Sequence, residues 1–173
     1  MDCNDYEEIR ALMCEYAEYV DDADFERLGE LLDGAVFGSA GSLHEADARF
    51  IHDWYAATNV VHADGTLRTC HVCSNIAIRP EGDDSARASS YFVVLQCTDA
   101  LPLQPIVSGR YRDRFAKRDG RWRFTQREVN VRLIGDMSNH LQHIDLRAGA
   151  VDRDAVLRRA AKARAQGRTA RVS

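Results

Sequence analysis

The chain contains no long run of apolar residues, since its longest apolar stretches are only a few residues. A membrane-spanning helix needs about 20 consecutive apolar residues, and a secretory signal needs an apolar core near the amino terminus. Neither pattern follows Met1, so we expect a cytoplasmic protein with no membrane partner. The length of 173 residues and the composition, 45% hydrophobic and 29% charged, are those of one ordinary globular domain.

The chain also lacks the excess of positive charge that is typical of nucleic-acid-binding proteins, because its formal net charge is −4. The charge is unevenly distributed: residues 1–150 carry a net charge of −9 and residues 151–173 a net charge of +5. No aromatic residue lies among the basic residues of this last segment. We therefore interpret it as a solvated basic end and expect no nucleic-acid partner, with binding of the tail to a polyanion as the alternative.

Cysteines are few and odd in number, and they form no dense framework: Cys3, Cys14, Cys70, Cys73 and Cys97. Without an export signal, this set is typical of reduced thiols. Cys70 and Cys73 form a C-x-x-C, but a structural zinc site needs two further ligands at matching spacing, and there is no second pair. The motif also lies in a predicted strand, where its two sulfurs would point to opposite faces. We predict no metal site and no cofactor.

The first third of the chain has the apolar periodicity of helices. Apolar residues recur at three- and four-residue spacing over residues 5–20, which predicts an amphipathic helix. Asp24 is a suitable N-cap for a second helix over residues 25–32. A short strand at residues 35–37 and a third helix from Ser42 to about Thr58 complete this part of the prediction.

From residue 67 onward the periodicity is that of strands. Four strands are predicted over residues 67–79, 85–98, 106–117 and 121–133. In the last of them, apolar residues occupy even positions up to Phe124 and odd positions from Val129. A β-bulge near residues 125–128 would explain this change of phase, and bulges often lie beside active sites.

Helices followed by long antiparallel strands predict an α+β fold. Bulges would curve the sheet of about four strands into a cone, and the three helices would enclose a pocket against it. A further helix is predicted over residues 152–165. We therefore divide the chain into an α+β domain over residues 1–150 and a basic C-terminal helix and tail over residues 151–173.

His71 is the candidate acid–base residue, because the unperturbed pKa of histidine lies near neutrality. Alternation along the predicted strand places His71, Cys73 and Asn75 on one face. A histidine that only makes hydrogen bonds inside the core is the alternative. Arg127 follows the predicted bulge, and it points either into the same cavity as His71 or outward.

Three motifs together resemble a known family. The first helix contains Ile9-x2-Leu12-x3-Tyr16-Ala17-x2-Val20-Asp21-x2-Asp24, and the first long strand contains Thr69-Cys70-His71-x3-Asn75. The last two strands contain Gly109-Arg110-Tyr111-x-Asp113-x-Phe115-x3-Asp119-Gly120-x-Trp122-x-Phe124-x2-Arg127. In this order, over roughly residues 5–145, the motifs resemble the SnoaL-like branch of the nuclear-transport-factor-2-like superfamily.

The resemblance implies a cone-shaped fold around a ligand pocket. The superfamily includes scytalone dehydratase, bile-acid dehydratase, a hexachlorocyclohexane dehydrochlorinase, ketosteroid isomerase, polyketide cyclases and limonene epoxide hydrolase. It also includes non-catalytic members and the small subunits of ring-hydroxylating dioxygenases. Dimers and trimers both occur among them, so the resemblance implies a homo-oligomer.

The resemblance also implies site residues. The dehydratase and dehydrochlorinase members use an Asp–His pair, which falls on Asp21 and His71. The bile-acid dehydratase pattern places a tyrosine at Tyr16, and the dehydrochlorinase places an arginine at Arg127. The second histidine of scytalone dehydratase has no counterpart here, because our alignment places Gln96 at that position. The paired acids of ketosteroid isomerase and the Asp–Arg–Asp set of the epoxide hydrolase are not evident.

Two further acids compete with Asp21 for the carboxylate role, Asp22 and Asp24. We prefer Asp21 because it follows Val20 at the inner edge of the helix, whereas Asp24 is a predicted cap. In the predicted site, Asp21 orients His71, which removes an acidic C–H proton. Tyr16 would then donate a hydrogen bond to the developing negative charge, and the positive charge of Arg127 would stabilise it further.

The sequence therefore predicts a cofactor-free lyase or isomerase. The preferred reaction is a dehydration of a small hydrophobic hydroxy-carbonyl, polyketide-like or steroid-like molecule. The residues expected to bind the substrate are Trp54, Asn75, Tyr91, Gln96 and Tyr111. A non-catalytic ligand-binding protein or assembly subunit is the alternative, and in it side chains such as Trp54 and Tyr91 would fill the cavity. His140 and His143 are expected at the surface, with the pocket mouth as the alternative.

Overall fold

A computed structural model of the chain describes residues 1–39, 41–144, 146 and 152–165. The elements in chain order are α1 (Cys3–Asp21), α2 (Phe25–Leu31), β1 (Ala35–Ser39), β2 (Ser42–Ala46), α3 (Ala48–Thr58), β3 (Thr69–Pro80), β4 (Ser85–Gln96), β5 (Gln104–Arg118), β6 (Arg121–Ile134) and α4 (Arg153–Ala165). The predicted α+β class is confirmed. The predicted count is wrong, because the described residues form six strands instead of about four.

The six strands form one sheet in the order β2-β1-β6-β5-β4-β3. The four long strands β3 to β6 pair antiparallel with their sequence neighbours. The short strand β1 pairs parallel with β6, where Phe37 lies opposite Arg127, and antiparallel with β2. The sheet is therefore mixed, and the amino-terminal half of the chain supplies one of its edges.

The third helix begins later than predicted. Residues 42–46 form β2 instead of its first turns, and the side chain of Asp47 caps the helix by accepting a hydrogen bond from the Phe50 N–H at 2.7 Å. Leu43 and Ala46 are three residues apart, a spacing that places both on one face of a helix but on opposite faces of a strand. The pairing with β1 decides the outcome, because the free edge of β1 offers backbone groups that need partners.

Acidic side chains cap the first two helices at their amino-terminal ends. Asp2 and Asp5 form a capping box at the start of α1. The predicted cap of α2 is confirmed, since the Asp24 side chain accepts a hydrogen bond from the Arg27 N–H at 3.1 Å. Asp22 lies at the C-cap of α1. The two acids that compete with Asp21 therefore end one helix and start the next.

Register shifts interrupt three of the long strands, β3, β5 and β6. The predicted bulge in β6 is confirmed, because Gln126 lies opposite Arg114 and Phe124 opposite Phe115, which leaves Thr125 unpaired. The irregularity in β3 follows Ser74. There Asn75 has a φ of +50° and is exposed, so the prediction that it shares a face with His71 is wrong.

The C-terminal helix lies against the third helix. The predicted helix near residues 152–165 is confirmed as α4, with the Asp152 side chain accepting a hydrogen bond from the Ala155 N–H at 2.9 Å. Val156 is 4% exposed, and the Arg153 guanidinium lies 4.4 Å from the centre of the Phe50 ring. The predicted tail after residue 165 lies outside the described residues. None of the helices in the described part of the chain is long and apolar enough to cross a membrane.

Gly29 allows α2 and α3 to approach closely. A Cβ built on Gly29 would lie 2.5 Å from the backbone carbonyl oxygen of Ala48. Helix propensity alone would make Gly29→Ala stabilising by about 1 kcal/mol. Because the clashing atom belongs to the backbone, we expect the strain to exceed this gain and to lower the free energy of unfolding by about 1–2 kcal/mol, as measured by urea denaturation.

The matched control is Gly82→Ala, whose Cβ would meet only the flexible Ser85 hydroxyl, at 3.1 Å. This change is expected to alter the free energy of unfolding by less than about 0.5 kcal/mol. A Gly29→Ala protein as stable as the wild type would show that the two helices do not need this close contact.

Candidate active site

A cavity of about 200 Å³ opens to solvent between the sheet and the helices. Its walls are largely aromatic and aliphatic, and the aromatic residues are Tyr16, Phe37, Phe50, Trp54, Tyr55, Phe92 and Tyr111. The hydrogen-bonding side chains in its wall include those of His71 and His140. An apolar cavity with a few polar groups is the usual form of a small-molecule site.

Asp21 and His71 meet at the edge of this cavity. Asp21 ends α1, and β3 passes beside it, so that Asp21 Oδ1 lies 2.6 Å from His71 Nδ1. The other carboxylate oxygen, Oδ2, accepts a hydrogen bond from the backbone N–H of His71 at 2.8 Å. The Thr69 hydroxyl donates to Oδ1 at 2.6 Å. The Asp21 carboxylate thus holds both the strand and the imidazole in place.

This environment keeps Asp21 ionised. Burial alone would raise the pKa of Asp21, but the hydrogen bond from the His71 ring, the charge of His71 and the hydrogen bonds from Thr69 and the His71 N–H together lower it. An ionised carboxylate can only accept, so the hydrogen-bond network assigns the proton of neutral His71 to Nδ1. Nε2 is then the ring nitrogen that can act as a base.

Two tyrosine hydroxyls form a second polar group in the cavity wall. The hydroxyls of Tyr16 and Tyr55 lie 2.6 Å apart, and both residues line the cavity. Burial raises the pKa of each phenol, most strongly that of Tyr55. Both therefore stay protonated, and the pair has a hydroxyl hydrogen to donate to an oxygen of a ligand. The sequence analysis identified Tyr16 but not Tyr55, whose spacing in α3 indicated only a core residue.

Arg127 lies behind the cavity wall, and neither predicted orientation is right. Its side chain has no exposed surface, and its guanidinium lies 3.6 Å and 3.9 Å from the ring centres of Tyr16 and Tyr111. Its charge is opposed by Asp113, whose Oδ2 lies 3.7 Å from Arg127 Nη1. Burial raises the pKa of Asp113 to about 6, although the charge of Arg127 acts to lower it.

Only two of the five predicted substrate-binding residues line the cavity. Trp54 and Tyr111 line the cavity, whereas Asn75, Tyr91 and Gln96 do not. Even-numbered residues of β4 face the core, so Tyr91 lies on the outer face, where the Arg110 guanidinium is 4.4 Å from its ring centre. The sequence around Tyr91 is an unbroken apolar run, so it gave no sign of which residues of β4 face the core.

Gln96 is buried beside the cavity instead of within its wall. Its side chain has no exposed surface, and its Nε2 donates hydrogen bonds to the backbone oxygens of Leu67 at 3.1 Å and Asn139 at 3.0 Å. Gln96 therefore connects the start of β3 with the chain that follows β6.

The prediction that His140 lies at the surface is wrong. His140 is 5% exposed and lines the cavity. The chain after β6 turns back along the end of α3, where the Val60 N–H donates to the His140 oxygen at 2.9 Å and the Gln142 N–H donates to the Thr58 oxygen at 2.8 Å. The sequence of this segment has no periodicity that would place it there. His143 is half-buried and is not part of the cavity wall.

The cysteines and acids do not suggest a bound metal. Within the described ranges, no group of three or more His, Cys, Asp or Glu side chains is arranged to hold a metal ion. Cys70 is exposed and Cys73 packs towards the core, which confirms the prediction that the two sulfurs point to opposite faces of β3.

Comparisons with known proteins agree with this fold. The family model of the SnoaL-like domain matches residues 1–128. A comparison with curated protein sequences gives no significant match. Among solved structures, Rv3472, a protein of unknown function from Mycobacterium tuberculosis, is 23% identical, with a TM-score of 0.63 over 93% of this chain and 96% of that chain.

Two structures from Novosphingobium aromaticivorans are also similar. The first is an NTF2-like protein with a cystatin-like fold, 24% identical, with a TM-score of 0.60 over 79% of this chain and 86% of that one. The second is a proposed scytalone dehydratase, 21% identical, with a TM-score of 0.59 over 76% of this chain and 86% of that one. At these identities the likeness establishes the fold alone.

Proposed function

Because the chain belongs to the SnoaL-like domain family, we propose that it is a lyase or isomerase that removes an acidic C–H proton from a small hydrophobic molecule. The observation that supports this most directly is the separation of 2.6 Å between Asp21 Oδ1 and His71 Nδ1 at the edge of an apolar cavity. A histidine oriented by a partly buried carboxylate is the arrangement in which the histidine of a serine-protease triad acts as a general base.

The proposed reaction is a β-elimination of water. His71 Nε2 takes a proton from the carbon next to a carbonyl group, and Asp21 stabilises the imidazolium that forms. One of the Tyr16 and Tyr55 hydroxyls donates to the other, and the remaining hydroxyl hydrogen of the pair is donated to the carbonyl oxygen as it gains negative charge. The C–H electron pair then forms the new double bond, the β-hydroxyl group leaves, and the proton on His71 joins it to give water. No oxidant or cofactor is needed.

The cavity limits the substrate. An apolar protein cavity of about 150 Å³ is large enough for benzene. The cavity here, at about 200 Å³, is lined by aromatic side chains and opens to solvent. We therefore propose a hydroxy-ketone whose enclosed part has one or two rings, and larger polyketide- or steroid-like molecules would extend out of the mouth.

The outer face of the sheet supports a second candidate, an assembly subunit. Val72 and Leu133 are 44% and 70% exposed, and pairing places them in one row across β3 to β6, with Val93 and Ser108 between them. Exposed large apolar side chains on one face of a sheet are typical of a protein interface. We propose a homo-oligomer through this face.

We also propose that the protein is cytoplasmic, because its five free cysteines would stay reduced in that compartment.

The test is exchange of the acidic proton in D₂O. The wild-type protein is incubated with 1-tetralone, 2-tetralone and β-hydroxyketones with one or two rings, and ¹H NMR follows loss of the α-proton and appearance of the enone. We expect exchange or elimination well above the buffer rate for at least one compound. The control is His52→Gln, which changes an exposed histidine outside the cavity wall and should keep the wild-type rate. Ligands that bind in the cavity without exchange or elimination would favour a non-catalytic ligand-binding protein instead.

A further inference from the structure

His140 is a buried polar side chain, and one of its two ring nitrogens has no hydrogen-bond partner among the described residues. It is 5% exposed, and that nitrogen is Nδ1. Leaving a buried polar atom unpaired costs about 1–3 kcal/mol. Such an atom is uncommon in a folded protein and needs an explanation. The side chain of His140 forms part of the cavity wall, although Nδ1 itself is not at the cavity surface.

The backbone around His140 is held by several independent contacts. The carbonyl oxygen of Asn139 lies 3.0 Å from Gln96 Nε2 and 3.1 Å from His62 Nε2. The His140 oxygen accepts a hydrogen bond from the Val60 N–H at 2.9 Å. Gln96 and His62 are themselves buried, at 0% and 7% exposure. Two buried polar side chains thus fix the peptide that carries His140, although this part of the chain is otherwise irregular.

The charged groups near His140 favour its neutral form. Burial, and after it the charge of His71, lower the pKa of His140 to about 3, with His62 acting in the same direction and Asp21 opposing them. At neutral pH His140 is therefore an uncharged imidazole, with one nitrogen that donates a hydrogen bond and one that accepts. A neutral imidazole can polarise a carbonyl group or hold a hydroxyl group without competing with His71 for the proton.

We propose that His140 is a second substrate-contacting residue, which uses its neutral imidazole to bind an oxygen atom of the ring-bearing ligand in the cavity. The proposal depends on the ligand site of the proposed function, but not on elimination as the reaction. It explains why an irregular segment is fixed by Gln96 and His62.

The experiment compares two probes of the same shape, naphthalene and 2-naphthol, in the wild type and in His140→Phe. The measured quantity is the ratio of the two dissociation constants, obtained by calorimetry at pH 7. One hydrogen bond contributes about 1 kcal/mol, so we expect His140→Phe to reduce the preference for 2-naphthol about fivefold to tenfold while naphthalene still binds. His140→Gln, which can donate and accept, should keep most of the preference, and the surface variant His52→Phe all of it.

A second measurement, made on the wild type, tests the proposal even if His140→Phe does not fold. In the wild type, ¹⁵N spectra of the imidazoles, assigned with His140→Gln, should show a neutral His140 from pH 5 to pH 8. Its ring resonances should shift on addition of 2-naphthol but not of naphthalene. An unchanged preference in His140→Phe, or equal shifts with both probes, would overturn the proposal.

The outcomes also separate this proposal from the proposed function. A lost preference for 2-naphthol without any proton exchange would leave His140 as a ligand contact and remove the lyase. If the wild type catalyses exchange or elimination but His140→Phe keeps the preference for 2-naphthol, the proposed lyase or isomerase stands and His140 is not a ligand contact. Failure of the wild type to bind either probe would overturn the inference for His140.

Discussion

His71→Gln is expected to lower kcat on any compound that the wild type converts by about 10²–10⁴-fold, the usual contribution of a general base. Glutamine keeps the size and polarity of the side chain but has no basic nitrogen. Asp21→Asn should cause a loss of similar order for a different reason. An amide NH₂ group that donates to His71 Nδ1 would move the ring proton to Nε2, so that the base is blocked although its geometry is kept.

The control for Asp21 is its neighbour, Asp22, which is exposed at the C-cap of α1. Asp22→Asn should retain kcat within about twofold, since it removes one exposed charge and no contact of His71. Circular dichroism and the midpoint of thermal unfolding show whether each variant is folded. Full activity in a folded Asp21→Asn protein would show that another residue orients the base, and full activity in His71→Gln would remove His71 from the mechanism.

Arg127→Met is expected to lower the free energy of unfolding by about 3–5 kcal/mol, the cost of breaking a fully buried ion pair. The change leaves Asp113, which is 2% exposed, without its opposing charge. The double variant Arg127→Met with Asp113→Leu removes both charges together. It should recover most of the loss, because well-packed apolar residues often replace a buried pair without a net penalty.

The stability of these variants should depend on pH in a defined direction. The pKa of Asp113 is raised to about 6 in the folded protein, from 3.8 as the ordinary value. The folded state therefore binds more protons than the unfolded state between these two values, and Asp113 lowers stability as the pH rises through this window. Without Arg127 the pKa of Asp113 rises further, so the deficit of Arg127→Met should be larger at pH 8 than at pH 5.

Urea denaturation at both pH values measures this difference, and the double variant serves as the reference, since it has no group to titrate at these positions. An equal deficit of Arg127→Met at pH 5 and pH 8 would show that loss of Arg127 does not raise the pKa of Asp113. A single variant that loses less than about 1 kcal/mol would show that the pair is not an important source of stability.

The part of the site that depends on local periodicity was predictable from the sequence. The helical spacing placed Asp21 at the inner end of α1, and the alternation of β3 turned His71 inward. The change of phase before Val129 predicted a bulge near residues 125–128, and the structure has it at Thr125. Each of these is a short-range property of the chain, which propensity and side-chain direction determine before any tertiary contact forms.

The parts that were missed depend on contacts between distant segments. Arg127 is buried because pairing places it opposite Asp113 on the next strand, and a lone arginine on a strand gives no sign of that. His140 reaches the cavity through hydrogen bonds from residues of other elements. Asn75 left its expected face at an irregularity in β3, and the only local sign was that asparagine tolerates a positive φ.

The parallel pairing of β1 with β6 also constrains the order in which the molecule can assemble. The hairpins from β3 to β6 join neighbouring segments, whereas Phe37 meets Arg127 about 90 residues away along the chain, and closing such a loop is entropically unfavourable and slow. Phe37 is also part of the cavity wall. A chain in which only the four-stranded meander has formed therefore has a sheet but no complete cavity, and ligand binding reports on whether β1 has paired with β6.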